Sequence, residues 1–244
     1  MKIRIKSKTK KGRFIYGDFL KNKNANITVI FLSGFSGSKE FPLFKRASNI
    51  FLKNGFNVVR LNFCSDSGDS YKKNNVLKLE EMSFLVYTTE LKNIIDIFNK
   101  KCSKIALVGH SFGAIISIMF LNKYRKYLKN TELVLWDPSL LPWKKKLLDQ
   151  EFDHSSGFYH RKGGNELLNK TFYEECATTN IIKIFHSLNK KAYVIAAKNS
   201  ADKDALRYDF KPMIIKNTNH FFDGEKAQKE LFGKTVSFLK NLTW

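Results

Sequence analysis

The stretch from Lys104 to Leu121 joins two apolar segments through a short turn that has glycine on both sides. Its first half, Ile105 to Val108, is apolar and partly β-branched, which is typical of a buried strand. Its second half, from Ala114 onward, continues into a basic, aromatic segment with apolar side chains at helical spacing, which predicts a helix. The chain must therefore pass from strand to helix within a few residues, through strained backbone dihedrals.

Ser111 occupies the tip of this turn, in the pattern Gly109-His110-Ser111-Phe112-Gly113. The pattern Gly-x-Ser-x-Gly at a strand-to-helix junction is a nucleophile elbow, which projects a serine hydroxyl free of its neighbours. The glycines let the backbone close up around the turn. The turn also starts a helix, so backbone N–H groups and the positive end of the helix dipole point at the site. We therefore predict that Ser111 is a nucleophile.

Predicted strands and helices alternate along most of the chain. The segments KIRIKS and RFIYGDFL predict an opening antiparallel pair, and the later strands are NITVIFLSG, FNVVRLNF, TELVLWDPS, AYVIAAKNS and PMIIKNTNH. Helices are predicted at FPLFKRASNIFLKNG, from Leu79 to Lys100, and at GEKAQKELFGKTVSFLKNL. This alternation predicts an α/β domain with a mostly parallel sheet and helices on both faces.

The span from Leu140 to about Lys190 interrupts the alternation with aromatic residues and a glycine turn. We interpret residues 140–190 as a cap insertion over the carboxyl edge of the sheet, where α/β folds bind ligands. Residues 1–139 and 191–244 then form the core domain. Phe158, Phe172 and Trp143 of the insertion could line an acyl pocket, although packing of the insertion itself explains them equally well.

The net charge of +21 comes from lysines scattered over the 244-residue chain. No helix-turn-helix, zinc-finger or aromatic-plus-arginine pattern accompanies it, so we attribute the charge to compositional bias and expect no specific nucleic-acid partner. The chain has no apolar run of bilayer length and no apolar segment after its basic start, and we expect a cytoplasmic protein. Three distant cysteines give neither a disulfide framework nor a zinc spacing.

A serine nucleophile needs a general base, and histidine is the side chain that takes and returns a proton near neutral pH. His220 follows a late buried strand on a polar loop, from which an imidazole can reach a serine at the sheet's carboxyl edge. His110 lies inside the elbow and is expected to point away from the nucleophile. His154 and His160 lie in the insertion, where with Asp153 their spacing fits no usual metal site, and His186 is in a helical segment. We predict His220 as the base.

Three carboxylates are candidates for orienting the imidazole. Asp202 and Asp204 both follow the strand AYVIAAKNS, and we prefer Asp202 because it is nearer the strand end. One of the two is expected to be only a helix N-cap. Asp137, at the end of LVLWDPS, is the third alternative.

An oxyanion hole needs two N–H donors. The backbone N–H of Phe112, directly after the nucleophile, is the first. The loop FLSGFSGS is expected to supply the second, and there we choose the N–H of Phe35, because Gly34 lets the chain turn.

The order of elbow serine, acid and histidine resembles the α/β-hydrolase superfamily. The likeness covers nearly the whole chain, including the segment from Val29 to Ser70, GHSFGA and the closing NTNHFF. Within the superfamily the chain is most similar to small bacterial cinnamoyl/feruloyl-type esterases and to serine-aminopeptidase-like hydrolases. It departs from them at Ser33, where the oxyanion loop usually has histidine, and in AAKNSAD, which lacks the usual glycine before the acid.

The motifs and the resemblance together imply a serine hydrolase that cleaves a small-molecule carboxylic ester through an acyl-enzyme. No metal or cofactor is needed for such a mechanism, and a monomer or homodimer is expected. Two alternatives stay open: a thioesterase or peptidase that uses the same triad, and a non-catalytic protein that binds a ligand on the same fold.

Overall fold

The computed structural model describes residues 1–35, 37–64, 75–99, 104–141, 150–153, 155, 157–161, 167–200 and 210–242. The strands in this part of the chain are β1 (Lys2–Lys6), β2 (Phe14–Leu20), β3 (Ile27–Leu32), β4 (Asn57–Asn62), β5 (Lys104–His110), β6 (Thr131–Trp136), β7 (Gln150–Asp153), β8 (Phe158–Arg161), β9 (Leu167–Asn169), β10 (Tyr193–Ala197) and β11 (Met213–Ile215).

Two sheets are formed by these strands. The larger sheet has the order β1-β2-β4-β3-β5-β6-β10-β11, and the smaller has the order β7-β8-β9. In the larger sheet, β1 with β2 and β2 with β4 are antiparallel, and every neighbouring pair from β4 to β11 is parallel. The structure therefore confirms the predicted mostly parallel sheet. The carboxyl ends of its parallel strands share one edge, and this edge holds Ser111.

The helices are α1 (Pro42–Lys53), α2 (Phe84–Asn99), α3 (Phe112–Lys123), α4 (Lys170–Thr178), α5 (Ile181–Ser187) and α6 (Glu225–Lys240), with short 3-10 turns at Leu79–Glu81 and Arg125–Asn130. The side chains of β3 alternate between two cores. Val29 and Phe31 pack in the core that α1 and α6 cover, whereas Ile30 and Leu32 pack in the core that α2 and α3 cover. The sheet is thus buried on both faces, as its near-continuous apolar strands require.

The helix predicted from Leu79 to Lys100 is divided in the structure. A 3-10 turn comes first, and α2 begins only at Phe84. The division lies at Ser83, whose hydroxyl accepts a hydrogen bond from the backbone N–H of Val86 at 3.1 Å. Serine is more favourable at such a capping position, at the start of a helix, than in the interior of a helix. Lys100 lies outside the described residues.

The described parts of residues 140–190 form the small sheet and the helices α4 and α5. Phe172 of α4 and Phe185 of α5 are buried in the same apolar core as α2 and α3. The insertion therefore packs against the domain through these helices. Its boundaries and its role as a cap remain predictions.

The elbow glycines are required by close backbone contacts. A Cβ atom on Gly109 would lie 2.6 Å from the backbone of Gly113 and Ala114, and a Cβ atom on Gly113 would lie 2.1 Å from the carbonyl oxygen of Leu32. Carbon cannot approach oxygen that closely without displacing one of the two segments. Glycine therefore lets α3 start directly against the end of β3, and this contact sets the position of Ser111.

We expect Gly113→Ala to lower the free energy of unfolding by about 3 kcal/mol or more, because α3 and β3 must separate to admit the methyl group. Gly233→Ala is the matched control. Gly233 lies within α6, and nothing comes within 4 Å of a Cβ placed there. That substitution should raise stability by about 0.5–1 kcal/mol. Urea unfolding of both variants checks this, and a wild-type midpoint for Gly113→Ala would contradict it.

Candidate active site

Ser111 lies between β5 and α3 with φ 53° and ψ −116°. For a residue with a Cβ atom, this backbone conformation costs about 1–3 kcal/mol, so contacts with the surrounding structure must stabilise it. Its backbone N–H donates to the carbonyl of Trp136 at 3.0 Å, and its carbonyl accepts from the N–H of Ala114 at 3.1 Å. These two bonds tie the turn to the end of β6 and to the first turn of α3. Ser111 is partly exposed at the carboxyl edge of the sheet.

Ser139 was not singled out in the sequence, and the structure places it against Ser111, the predicted nucleophile. The two hydroxyl oxygens of Ser111 and Ser139 lie 3.1 Å apart. The backbone N–H of Ser139 also lies 3.4 Å from the carbonyl oxygen of Ser111. Serine hydroxyls in loops are common, so no sequence signal marks this one except its position two residues after Asp137.

His220 and Asp137 form the hydrogen bond that organises the site. Nδ1 of His220 lies 2.5 Å from Oδ2 of Asp137. The Asp137 side chain is fully buried, whereas about a third of the His220 side chain is exposed. A carboxylate accepts at Nδ1–H, which leaves Nε2 as the basic nitrogen of a neutral imidazole.

Asp137 is itself held by the neighbouring strand β10. The backbone N–H of Ala197 donates to its other carboxylate oxygen at 2.9 Å, and its own N–H donates to the carbonyl of Ile195 at 2.7 Å. Asp137 has φ 41°, a second strained residue at this edge. The carboxylate therefore has a fixed direction before any substrate arrives.

The structure favours the third of the three sequence-based alternatives for the orienting acid. We preferred Asp202, with Asp204 second, and both lie outside the described residues. The carboxylate on Nδ1 of His220 is Asp137, the third alternative. The physical reason is that β6 and β10 are neighbours in the sheet, so a carboxylate at the end of either strand can reach the same imidazole. Chain order does not distinguish the two strands.

The predicted oxyanion loop lies directly against Ser111. A Cβ atom on Gly34 would lie 3.3 Å from Cβ and 3.7 Å from Oγ of Ser111. Phe35 follows in the chain, and Phe112 is the first residue of α3. The rings of these two phenylalanines are in edge contact at 5.9 Å. The roles of their N–H groups as oxyanion donors remain predictions, and the geometry brings both residues to the serine.

The three predicted pocket residues have different surroundings. Trp143 lies outside the described residues, and Phe158 is half-buried in the small sheet. Phe172 is fully buried, and its ring centroid lies 6.4 Å from that of Phe35 and 5.8 Å from that of Phe112. Phe172 therefore packs behind the two predicted oxyanion residues. A small cavity beside this cluster, lined in part by the oxyanion loop, has room for about one water molecule.

His110 was set aside in the sequence as a neighbour of the nucleophile, and the structure gives it a direct contact with the predicted base. Its Nε2 lies 2.8 Å from the carbonyl oxygen of His220, and the two rings lie 4.8 Å apart. Burial, followed by the charge of His220, lowers the pKa of His110 to about 4. At neutral pH its ring is therefore neutral.

The remaining histidines do not join the site in the described part of the chain. His186 is exposed on α5, and His154 lies outside the described residues. His160 is in β8, with a side chain that is not described. Among the described residues, no cluster of three or more His, Cys, Asp or Glu side chains could hold a metal ion. Nor does any described helix have the length and apolarity needed to cross a membrane.

The fold has many relatives among solved structures. The ferulic-acid-bound structure of Est1E from Butyrivibrio proteoclasticus is 15% identical, covers 97% of both chains and has a TM-score of 0.76. An α/β serine hydrolase homologue from Coxiella burnetii is 15% identical, covers 98% of this chain and 97% of its own, and has a TM-score of 0.60. The chain has the α/β-hydrolase fold. At these identities the likeness concerns the fold alone.

A sequence relative gives a second, partial comparison. A putative esterase/lipase of Mycoplasma pneumoniae is 30% identical over 128 residues. The match spans 52% of this chain and 44% of that protein, so it covers less than half of the relative. No family model matches the chain.

The buried His110 makes stability depend on pH in the acid range. Its folded pKa, about 4, lies below its ordinary value of 6.5. The unfolded chain therefore binds a proton first, and stability contributed by His110 is lost as the pH falls from about 6.5 toward 4. Between pH 7.5 and 5, this group alone should lower the free energy of unfolding by about 2 kcal/mol. Urea unfolding at both pH values, compared with His110→Gln, measures it, and an equal decline in the variant would contradict it.

Proposed function

We propose that this chain is a serine hydrolase that cleaves a carboxylic ester through an acyl-enzyme. The observation that carries the proposal is the hydrogen bond from His220 to the buried Asp137, at the same sheet edge as Ser111 on its elbow. In the proposal, Ser111, His220 and Asp137 act there as nucleophile, base and orienting carboxylate, each supplied by a separate segment of the chain. An elbow serine with a histidine in a fixed tautomer is the combination that acyl transfer needs.

In the proposed reaction, Ser111 Oγ attacks the ester carbonyl carbon while Nε2 of His220 takes the hydroxyl proton. The carbonyl π electrons move onto oxygen, and the N–H groups of Phe35 and Phe112 stabilise this oxyanion. When the tetrahedral intermediate collapses, Nε2 gives its proton to the departing alcohol. Water then attacks the acyl-enzyme by the same route. Asp137 accepts from Nδ1–H throughout and stabilises the imidazolium.

The nucleophile must turn between two partners for this reaction. In the structure the Ser111 hydroxyl is paired with Ser139. Attack on a carbonyl requires it to bond with Nε2 of His220 instead, and we propose that a rotation about the Cα–Cβ bond of Ser111 brings it there. Catalytic hydrogen bonds are often incomplete before substrate binds. We propose that substrate binding completes this one.

The relatives support ester chemistry without fixing the substrate. Est1E is described with ferulic acid bound, and the Mycoplasma pneumoniae protein as a putative esterase/lipase. For this chain we propose a small-molecule ester. The buried Phe172 stands behind the oxyanion residues, where we propose that it limits the size of the acyl group.

Ser111→Ala should reduce ester turnover by at least about 10³-fold and abolish labelling by a fluorophosphonate probe, because the attacking oxygen is removed. Ser139→Ala is the matched control, since its hydroxyl lies only 3.1 Å from that of Ser111. This variant should still be labelled and should lose less than about tenfold in kcat. Labelling that survives in Ser111→Ala and disappears in Ser139→Ala would assign the nucleophile to Ser139.

Asp137→Asn should lower kcat by about 10³–10⁴ with little change in KM. The amide has only one acceptor oxygen. When that oxygen accepts from the N–H of Ala197, the NH2 group faces Nδ1 of His220 and cannot accept there, so the imidazole loses its productive tautomer. Asp202→Asn and Asp204→Asn are the matched controls and should change kcat by less than about threefold. Steady-state kinetics on one short-chain ester decides between them. A large loss for Asp202→Asn with a small one for Asp137→Asn would contradict the assignment.

A further inference from the structure

The hydrogen bonds of the loop that carries His220 lie mainly within the loop, and its residue Phe222 is buried in the core that α1 and α6 cover. The Asn219 side chain accepts from the backbone N–H of Phe221 at 3.1 Å, and the Thr218 hydroxyl donates to the carbonyl of Asp223 at 3.1 Å. These contacts fix the shape of the loop. They do not fix its distance from β5, at the end of which Ser111 lies.

His110 spans that distance. It is the last residue of β5, and its Nε2 lies 2.8 Å from the carbonyl oxygen of His220. A carbonyl oxygen only accepts hydrogen bonds, so Nε2 of His110 carries the proton and donates. The bond therefore joins the residue before the nucleophile to the main chain of the base, 110 positions later in the sequence.

The His110 ring has little freedom to move. It is 2% exposed and packs against Phe41 and Phe44 at the start of α1, with centroid distances of 6.0 and 6.4 Å. Phe221 and Phe222 of the histidine loop contact it at 6.1 and 6.5 Å. The titratable groups that act on it are His220 and Asp137, and the contacts from α1 are aromatic. A ring packed in this way can serve as a rigid spacer.

Two hydrogen bonds then hold His220 at two different points. Asp137 holds Nδ1 of the ring, and His110 holds the backbone carbonyl. One bond at a ring nitrogen lets the imidazole pivot and lets the loop move. A second bond, to the main chain, fixes the position of the His220 backbone from which the ring extends. This matters because the side chain is about a third exposed, so packing alone does not enclose it.

We propose that His110 is a positioning residue, which sets the distance from His220 to Ser111 by donating a hydrogen bond from Nε2 to the His220 carbonyl. The proposal rests on the proposed function, because it assigns His110 a role in that reaction. His110 touches no reacting atom in it. Its effect reaches the chemistry only through the position of the imidazole.

The test compares His110→Gln with His110→Met on a short-chain p-nitrophenyl ester. Both side chains have about the length needed to reach the place of Nε2, and only glutamine offers an N–H there. We expect His110→Gln to keep kcat within about threefold and His110→Met to lose about 30-fold, since small misplacements of catalytic groups cost up to about 10²-fold. KM should change less than about twofold in both, because the contact holds the base and not the substrate.

Equal kcat values for the two variants, whether both high or both low, would overturn the proposal. Thermal unfolding of each variant is measured alongside. A merely structural role would make kcat follow the unfolding midpoint, and the proposal predicts a difference in kcat between variants of similar midpoint.

A second measurement uses the wild-type protein, so the proposal can be tested even if His110→Met does not fold. Long-range ¹H–¹⁵N correlation spectra distinguish the two neutral tautomers of a histidine ring. We expect His110 to be neutral at pH 7 with its proton on Nε2. A proton on Nδ1, or a charged ring, would contradict the proposed hydrogen bond from Nε2 of His110 to the His220 carbonyl. This result does not depend on ester turnover, so an inactive protein with the Nε2–H tautomer would count against the proposed function and not against the contact.

Discussion

The buried carboxylate of Asp137 is the constraint on which the rest of the site depends. It lies at the end of β6 and receives hydrogen bonds from Ala197 of β10 and from His220. A buried carboxylate without such partners would lower the free energy of unfolding by several kcal/mol, so its neighbours are required for folding. Trp136, the preceding residue, is fully buried and donates from Nε1 to Thr235 of α6 at 3.0 Å. The core thereby sets the direction of the carboxylate.

Strain is concentrated at this edge of the sheet. Ser111, Asp137, Asn217 and Phe222 all have positive φ values although none is glycine. Each costs of order 1 kcal/mol or more. The elbow residue is held by its bonds to β6 and α3, and Phe222 is fully buried in the core that α1 and α6 cover. The apolar cores on both faces of the sheet supply the stability that these conformations need.

The sheet, its helices and the elbow could be predicted from the sequence because each has a local signal. Alternating apolar strands and amphipathic helices predict the layers, and Gly109-His110-Ser111-Phe112-Gly113 predicts the turn. The orienting acid has no local signal of this kind. Its identity depends on which strands are neighbours at the sheet edge, which is a property of the fold.

The contacts of His110 and Ser139 were missed for the same reason. Nε2 of His110 reaches a backbone carbonyl far along the chain, and a main-chain partner leaves no mark on the sequence. Ser139 lies beside Ser111 because β5 and β6 are neighbours and their carboxyl ends meet. Only three-dimensional placement shows either contact.

The central claim is that Ser111 becomes acylated during turnover. An aryl carbamate that carbamoylates serine hydrolases tests it directly, because the carbamoyl-enzyme hydrolyses slowly enough for peptide mapping by mass spectrometry. We predict one carbamoyl group per chain, on the peptide that contains Ser111, with ester turnover lost in proportion to the modified fraction. Turnover that persists in fully modified protein, or a carbamoyl group on another residue with Ser111 unmodified, would contradict the account.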